Sequence, residues 1–157
     1  MKIKLLVIGK TDDKNLEQLI EKYQQRLNHY INFEIEIIPD IKNVKNLSQL
    51  QQKEKEGELI LSKLKNTDQL VLLDEKGKEF RSLDFANFLQ KKMNSGIKQL
   101  VLVVGGPYGF SESVYKKTVG KVSLSKMTFS HQMIRLFIVE QLYRGFTILK
   151  NEPYHHE

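Results

Sequence analysis

Hydrophobic positions along this chain switch repeatedly between short unbroken runs and spacings of three and four, the pattern of strands alternating with amphipathic helices. Lys2 to Ile8 is a compact stretch of Leu and β-branched residues ended by Gly9 and Lys10, and its continuous apolarity predicts a buried strand of a parallel sheet. After Thr11, Asp12 and Asp13, apolar residues fall at Leu16, Leu19, Ile20, Tyr23, Leu27 and Tyr30, one face of a helix. Phe33, Ile35 and Ile37 alternate with Glu34 and Glu36 in a second strand that stops at Pro39. Ser48 is placed to cap a charged helix running to about Leu64. A third strand spans Gln69 to Leu73 and meets a turn signal, Asp74-Glu75-Lys76-Gly77-Lys78. Ser82 is the expected N-cap of a helix carrying Phe85, Phe88, Leu89 and Met93, with Gly96 as its stop.

Gln99 to Val104 repeats the apolar strand pattern and runs straight into Gly105-Gly106-Pro107-Tyr108-Gly109. Glu112 to Lys117 then reads as a short helix, Lys121 to Leu124 as a short strand and Ser125 to Ser130 as a polar loop. His131 to Leu149 is the most apolar helix of the chain, so broadly apolar that it predicts burial on several sides, part of it at a subunit interface. Strands alternating with helices, with no internal repeat and no linker, predict an α/β fold: a mainly parallel sheet flanked by helices, in one domain over residues 1–157. A chain of this length buries about two thirds of its unfolded surface in such a core.

Composition narrows the function more than the fold. With 40% hydrophobic and 28% charged residues and only 9 Gly and 3 Pro, the chain is globular, not disordered or fibrous. The absence of Cys excludes disulfide frameworks, thiolate nucleophiles, iron–sulfur clusters and cysteine-ligated zinc, and fits a reducing compartment. The first apolar run is too short for a signal-peptide core or a membrane span, which predicts a cytoplasmic protein with no membrane partner. Lys plus Arg, 25, less Asp plus Glu, 19, leaves +6, a balance suited to a polyanionic partner such as nucleic acid.

Ligands of open α/β sheets bind beyond the carboxyl ends of strands, and two such ends stand out: Leu72-Leu73-Asp74 and the glycine-rich run from Gly105. Paired glycines permit close approach of a ligand to the backbone, or simply a tight turn. Neither a G-x-G-x-x-G fingerprint nor a G-x-x-x-x-G-K-[ST] loop is present, so dinucleotide enzymes and P-loop NTPases lose their usual signature. The stretch Leu124-Ser125-Lys126-Met127-Thr128-Phe129-Ser130-His131 leads into the last helix; it offers backbone groups to a ligand with polar and apolar ends, or it is a plain connection capped by Ser130. His131 and Arg135 stand four apart on one face at a helix start, which suits an anion. Glu140 and Arg144, four apart in the favourable order, read first as a structural ion pair. The ending Pro153-Tyr154-His155-His156 sets an aromatic beside imidazoles, a composition used to stack an unpaired RNA base, although chain ends commonly fray. No carboxylate–histidine spacing supports a metal site there.

Over essentially its whole length the chain resembles the RlmH family of small SPOUT-class methyltransferases, which methylate N3 of a pseudouridine in large-subunit ribosomal RNA. The resemblance is carried by Met1-Lys2-Ile3 with Gly9-Lys10, Lys55-Glu56-Gly57, Leu73-Asp74 with Gly77-Lys78, Gly105-Gly106-Pro107 with Gly109, Leu124-Ser125 with Thr128 and His131, and Glu140-Gln141-Leu142-Tyr143-Arg144 with Pro153-Tyr154-His155. Ser130 departs from the family pattern, which has Pro before the histidine, and the departure bears on local loop shape. The resemblance implies a C-terminal trefoil knot, a homodimer, and S-adenosylmethionine as methyl donor without a metal. By position it implies a donor site at Leu73, Gly105, Leu124, Ser125, Lys126, Met127, Thr128 and Phe129.

The partners implied are large-subunit ribosomal RNA and the assembled ribosome. Because the imide N3–H must lose its proton, His155 and His131 are the candidate acceptors. Arg135, Arg144 and Lys126 are candidate contacts to phosphate or to the developing oxyanion, and Tyr154 is the candidate stacking residue. Two other readings remain at this point: an RNA-binding module without catalysis, and a methyltransferase of the same fold acting on transfer RNA.

Overall fold

The computed structural model describes residues 1–156. Its five strands are β1 (Lys2–Ile8), β2 (Asn32–Ile38), β3 (Asp68–Glu79), β4 (Gln99–Val104) and β5 (Gly120–Ser123). They form one sheet in the order β2-β1-β4-β3-β5, and every neighbouring pair is parallel. Helices α1 (Lys14–Leu27), α2 (Gln49–Ser62), α3 (Ser82–Asn94), α4 (Glu112–Lys117) and α5 (Met133–Leu149) connect and flank the strands. The α/β class read from the alternating pattern is therefore the observed one.

The pleat divides the core between two faces, because successive side chains of a strand point to opposite sides. Ile3, Leu5 and Val7 of β1, with Leu100, Leu102 and Val104 of β4, meet Leu16 and Ile20 of α1, Phe85 and Leu89 of α3, and Ile138, Leu142 and Phe146 of α5. Leu6, Ile8, Val101 and Val103 face the other way, onto Ile60 of α2 and Val114 of α4. Continuous apolar runs in β1 and β4 are thus explained by cover on both faces.

Local signals mostly act where the sequence puts them. Ser48 caps α2 in a reciprocal box with Gln51, and Asp13 caps α1 through the amides of Asn15 and Leu16. Gly96 follows α3 with a left-handed φ of 76°. Ser82 differs from its expected role: Arg81 is the N-cap of α3, and the Ser82 hydroxyl instead donates to Gln141 of α5 at 3.1 Å.

The main departure is in β3, expected to end at Leu73 in a turn. The strand resumes beyond that turn and runs to Glu79. Leu73 and Lys78 both lie opposite Val122 of β5, so the four residues between them bulge from the ladder. Asp74 Oδ1 accepts the Lys76 amide at 2.9 Å inside the bulge. Gly77 permits the return, since a Cβ there would come within 2.7 Å of the backbone at Lys121 and Val122. Pairing with β5, a long-range contact, overrides the local turn signal.

Candidate functional site

A cleft of about 560 Å³ opens at the carboxyl ends of β3, β4 and β5, in the size range of small-molecule sites. Three segments build its walls: Leu73 and the bulge of β3, the glycine-rich loop from Gly105 to Phe110, and the loop from Leu124 to His131 that enters α5. Leu73, Gly105, Leu124, Ser125, Met127, Thr128, Phe129 and His131, singled out from the sequence, all line this one cleft. Lys126 does not; its side chain is 86% exposed and lies 4.0 Å from Glu79.

The third wall is built from backbone as much as from side chains. Among the described residues, no backbone-to-backbone hydrogen bond involves residues 125–129. Side chains shape the loop instead: Ser125 Oγ accepts the Met127 amide at 2.9 Å, and Ser123 Oγ donates to the Ser125 carbonyl at 2.8 Å. Ser130 Oγ accepts the Met133 amide at 3.1 Å, but the N-cap of α5 is Gln132, so Ser130 supports the first turn from outside the expected cap position. Such a loop leaves main-chain donors and acceptors available to a ligand.

The glycine-rich wall is held from behind. A Cβ at Gly105 would meet the Phe110 ring at 2.9 Å, and one at Gly106 would meet the Glu56 carboxylate at 2.5 Å. The bare α-carbons are therefore needed for internal packing as well as for access. Glu56 is 4% exposed, and burial, the largest cause, raises its pKa above the ordinary glutamate value, with Asp40 adding to the rise and Gln52 opposing it. A raised folded-state pKa means that the native protein binds the proton more tightly than the unfolded chain does. Stability therefore falls as pH rises from about 4.5 through the folded-state value. Glu56→Gln is expected to raise the melting temperature at neutral pH and to have no advantage at pH about 4, as a pair of thermal melts across pH would show.

Arg135 requires a correction. Expected at a phosphate or oxyanion, it is 1% exposed and points into the protein. Its Nη2 donates to the Ile8 carbonyl at 2.8 Å, its Nη1 to the Gly9 carbonyl at 2.9 Å and to Thr11 Oγ1 at 3.2 Å, and its Nε to the His131 carbonyl at 3.1 Å. Gln132 reinforces the seam by accepting the Asp12 amide and donating to the Lys10 carbonyl. The guanidinium ties the end of β1 to the start of α5, and i to i+4 spacing from His131 serves that tie instead of a joint anion site.

Glu152, Tyr154 and His155 pack back against α5 and the segment after α1. Arg144 donates to Glu140 Oε1 at 2.8 Å, sits 3.1 Å from His155 Nδ1 and lies over the Tyr154 ring at 4.7 Å. Tyr154 donates to the same Glu140 oxygen at 2.9 Å and packs edge-on against Tyr143. Burial first, then hydrogen bonds to Tyr23 and Glu140, push the Tyr154 phenol well above its usual range, so it remains a donor. Tyr30 is bonded to Glu152. His155, Tyr154 and Arg144 thus form one cluster, and it is not at the cleft: Ile134 lines the cleft, and Arg144 lies about 15 Å further along the helix axis.

Two features of the site escaped the sequence reading: Glu75, read only as part of a turn, and Tyr115, which line the cleft beside Asp74, already marked at a strand end. The Tyr115 hydroxyl donates to Asp74 Oδ2 at 2.6 Å, and Thr128 Oγ1 donates to Glu75 Oε2 at 3.0 Å. Only the Leu73-Asp74 pairing pointed to that wall. Among the described residues there is no group of three or more acidic or histidine side chains placed to hold a metal ion, and no helix long and apolar enough to cross a membrane.

Fold and cleft together define an α/β domain with a cleft of small-molecule size at the strand ends. Residues 1–155 match the family model described as "Predicted SPOUT methyltransferase", and the chain belongs to that family. It is accordingly a methyltransferase. Proteins called ribosomal RNA large subunit methyltransferase H from Flavobacterium psychrophilum and Flavobacterium johnsoniae are each 73% identical to it over 157 residues, covering 100% of both chains. One of the same name from Porphyromonas gingivalis is 56% identical over 100% of both chains. Among solved structures, a probable methylase family protein from Haemophilus influenzae Rd KW20 aligns with a TM-score of 0.51 at 10% identity, covering 99% of this chain and 70% of that one, a likeness of fold.

Proposed function

We propose that this protein transfers a methyl group from S-adenosylmethionine to N3 of a pseudouridine in large-subunit ribosomal RNA, as a cytoplasmic homodimer acting on the assembled ribosome. The observation that carries the reading is the loop 125–129, free of main-chain pairing, facing a 560 Å³ cleft in a chain 73% identical to relatives of that name. The trefoil-knotted C-terminal crossing implied by the resemblance belongs to the same proposal, with family membership as its support.

The residues present fit the donor. Leu73, Met127 and Phe129 offer apolar cover, while backbone groups of 124–129 and of Gly105 offer hydrogen bonds to a heteroaromatic edge and ribose hydroxyls. When bound, the donor supplies an electrophilic methyl on a sulfonium, so no metal is needed and the protein contributes in-line positioning. His131 lies exposed at the cleft and His155 in the tail cluster, and one or the other is proposed to accept the N3 proton. Arg144 is proposed to stabilise the oxyanion that develops on the base, and Tyr154 to stack upon it. Lys126, exposed beside the cleft, is a proposed phosphate contact. Since Glu140 and Arg144, which hold the tail, lie about 9 Å and about 15 Å along α5 from the cleft residue Ile134, the tail of one protomer is proposed to serve the cleft of the other.

Titration calorimetry with S-adenosylmethionine tests the donor site: wild type binds, and Thr128→Trp, an exposed substitution in the cleft wall, does not. Methyl transfer to intact large subunits, protein-free ribosomal RNA and transfer RNA then identifies the acceptor. No donor binding by folded dimer refutes the enzyme reading of this cleft, and transfer RNA as sole acceptor refutes the ribosomal one.

A further inference from the structure

We propose that Asp74 and Glu75 are a charge selector in the cleft, favouring the cationic sulfonium of S-adenosylmethionine over the neutral thioether left after methyl transfer. The inference rests on the donor-site reading above and adds the residues that separate the donor from its own product.

Charge runs opposite ways on the surface and in the cleft. The chain carries +6 overall, but the charged side chains lining the cleft are Asp74, Glu75 and Lys76, with His131 as a further titratable group. Asp74 is half-buried, while Glu75 and Lys76 are both exposed; Glu75 is held by its hydrogen bond from Thr128, whereas the long Lys76 side chain can turn to water. The two carboxylates are also held in place before any ligand arrives. Their bulge is pinned at both ends, because Leu73 and Lys78 share Val122 as partner. Tyr115 donates to Asp74 at 2.6 Å and Thr128 donates to Glu75 at 3.0 Å. Burial, then Asp74 itself, pushes the Tyr115 pKa up to about 12, so the phenol stays protonated and donating at neutral pH.

Each carboxylate spends acceptor capacity on that bond yet keeps lone pairs and its full negative charge. A sulfonium needs no hydrogen bond, only negative charge nearby, and fixed charges in a half-enclosed cleft supply this without reorganisation. Donor and product differ by one methyl group and one positive charge. Apolar contacts and backbone hydrogen bonds serve both nearly alike, so charge is the property that tells them apart. A unit charge a few Å from a carboxylate at a protein surface is worth on the order of tenfold in affinity.

The measurement is the ratio of dissociation constants for S-adenosylhomocysteine and S-adenosylmethionine, taken by calorimetry on intact dimer. Asp74→Asn with Glu75→Gln is expected to lower that ratio about tenfold by weakening the sulfonium ligand alone. Wild type needs no variant for a second reading: raising salt from about 0.01 M to about 1 M is expected to lower the ratio as well. A ratio unchanged in the double variant, including equal weakening of both ligands, overturns the selector. A wild type that binds neither ligand refutes the donor site itself, which a changed or unchanged ratio does not.

Discussion

Removing the residues after Asn151 is expected to lower methyl transfer by about 10³-fold or more while changing S-adenosylmethionine affinity by no more than about twofold. The two effects separate because the tail and the cleft are built on opposite ends of α5. Ile134, in the first turn, faces the cleft, whereas Glu140 and Arg144, about 9 Å and about 15 Å further along the helix axis, hold Tyr154 and His155. Loss of the tail leaves every cleft residue in place and removes an imidazole, a phenol and the geometry of Arg144. Initial rates and calorimetry on the truncated protein provide both numbers. If the proposed homodimer forms, mixing truncated protomers with Thr128→Trp protomers is expected to restore activity, since some mixed dimers then carry one intact cleft and one intact tail. Full activity in the truncated protein, or failure of every mixture, refutes a tail that acts across the dimer.

Arg135→Met is expected to cost about 3–5 kcal/mol of stability, a fall of roughly 10 °C in melting temperature for a domain this size. Met replaces the side-chain bulk but donates nothing, so the Ile8 and Gly9 carbonyls lose buried hydrogen bonds, as does the His131 carbonyl. Each orphaned group costs about 1–3 kcal/mol. Arg135→Lys keeps the charge and at most part of the bonding, so it is expected to recover less than half of the loss. Thermal melts of both variants decide the matter; a wild-type melting temperature in Arg135→Met refutes the clamp.

Burial of Arg135 illustrates where reading along the chain stops. Its spacing from His131 is equally compatible with an anion site and with a buried staple, since both need a cation one turn into α5. The choice falls to β1, more than a hundred residues earlier, whose carboxyl end brings three acceptors under the helix start. The bulge at Asp74 and Glu75 has the same origin. Asp, Lys and Gly in succession do make a local turn, with Asp74 bonded to the Lys76 amide. Pairing of Lys78 and Glu79 with β5 turns it into an interruption within a longer strand.

Much of the cleft was nonetheless legible. Leu73, Gly105 and the run from Leu124 to Phe129 were marked by apolar strands ending abruptly in glycine or polar residues, and strand ends are where open α/β sheets leave room. Within that run the Lys126 side chain alone turns outward, because the direction of a loop side chain depends on the backbone path. Glu56, buried like Asp68, gave no local sign beyond its place in Lys55-Glu56-Gly57. It is buried by the arrival of Gly106, whose missing side chain makes the space.

By itself, then, the order of residues determined the elements and the class of fold, because hydrophobic periodicity, caps and breakers act over a few residues. It determined that β1 and β4 are covered on both faces, and that the ends of β3 and β4 lead into chemistry-bearing loops. Only the tertiary structure decided that the three loops share one cleft, that the bulge turns Asp74 and Glu75 into it, that Arg135 is a clamp, and that the tail lies away from its own cleft. Those outcomes depend on groups distant in sequence meeting in space, where long-range strand pairing and burial outweigh the local preferences a sequence displays.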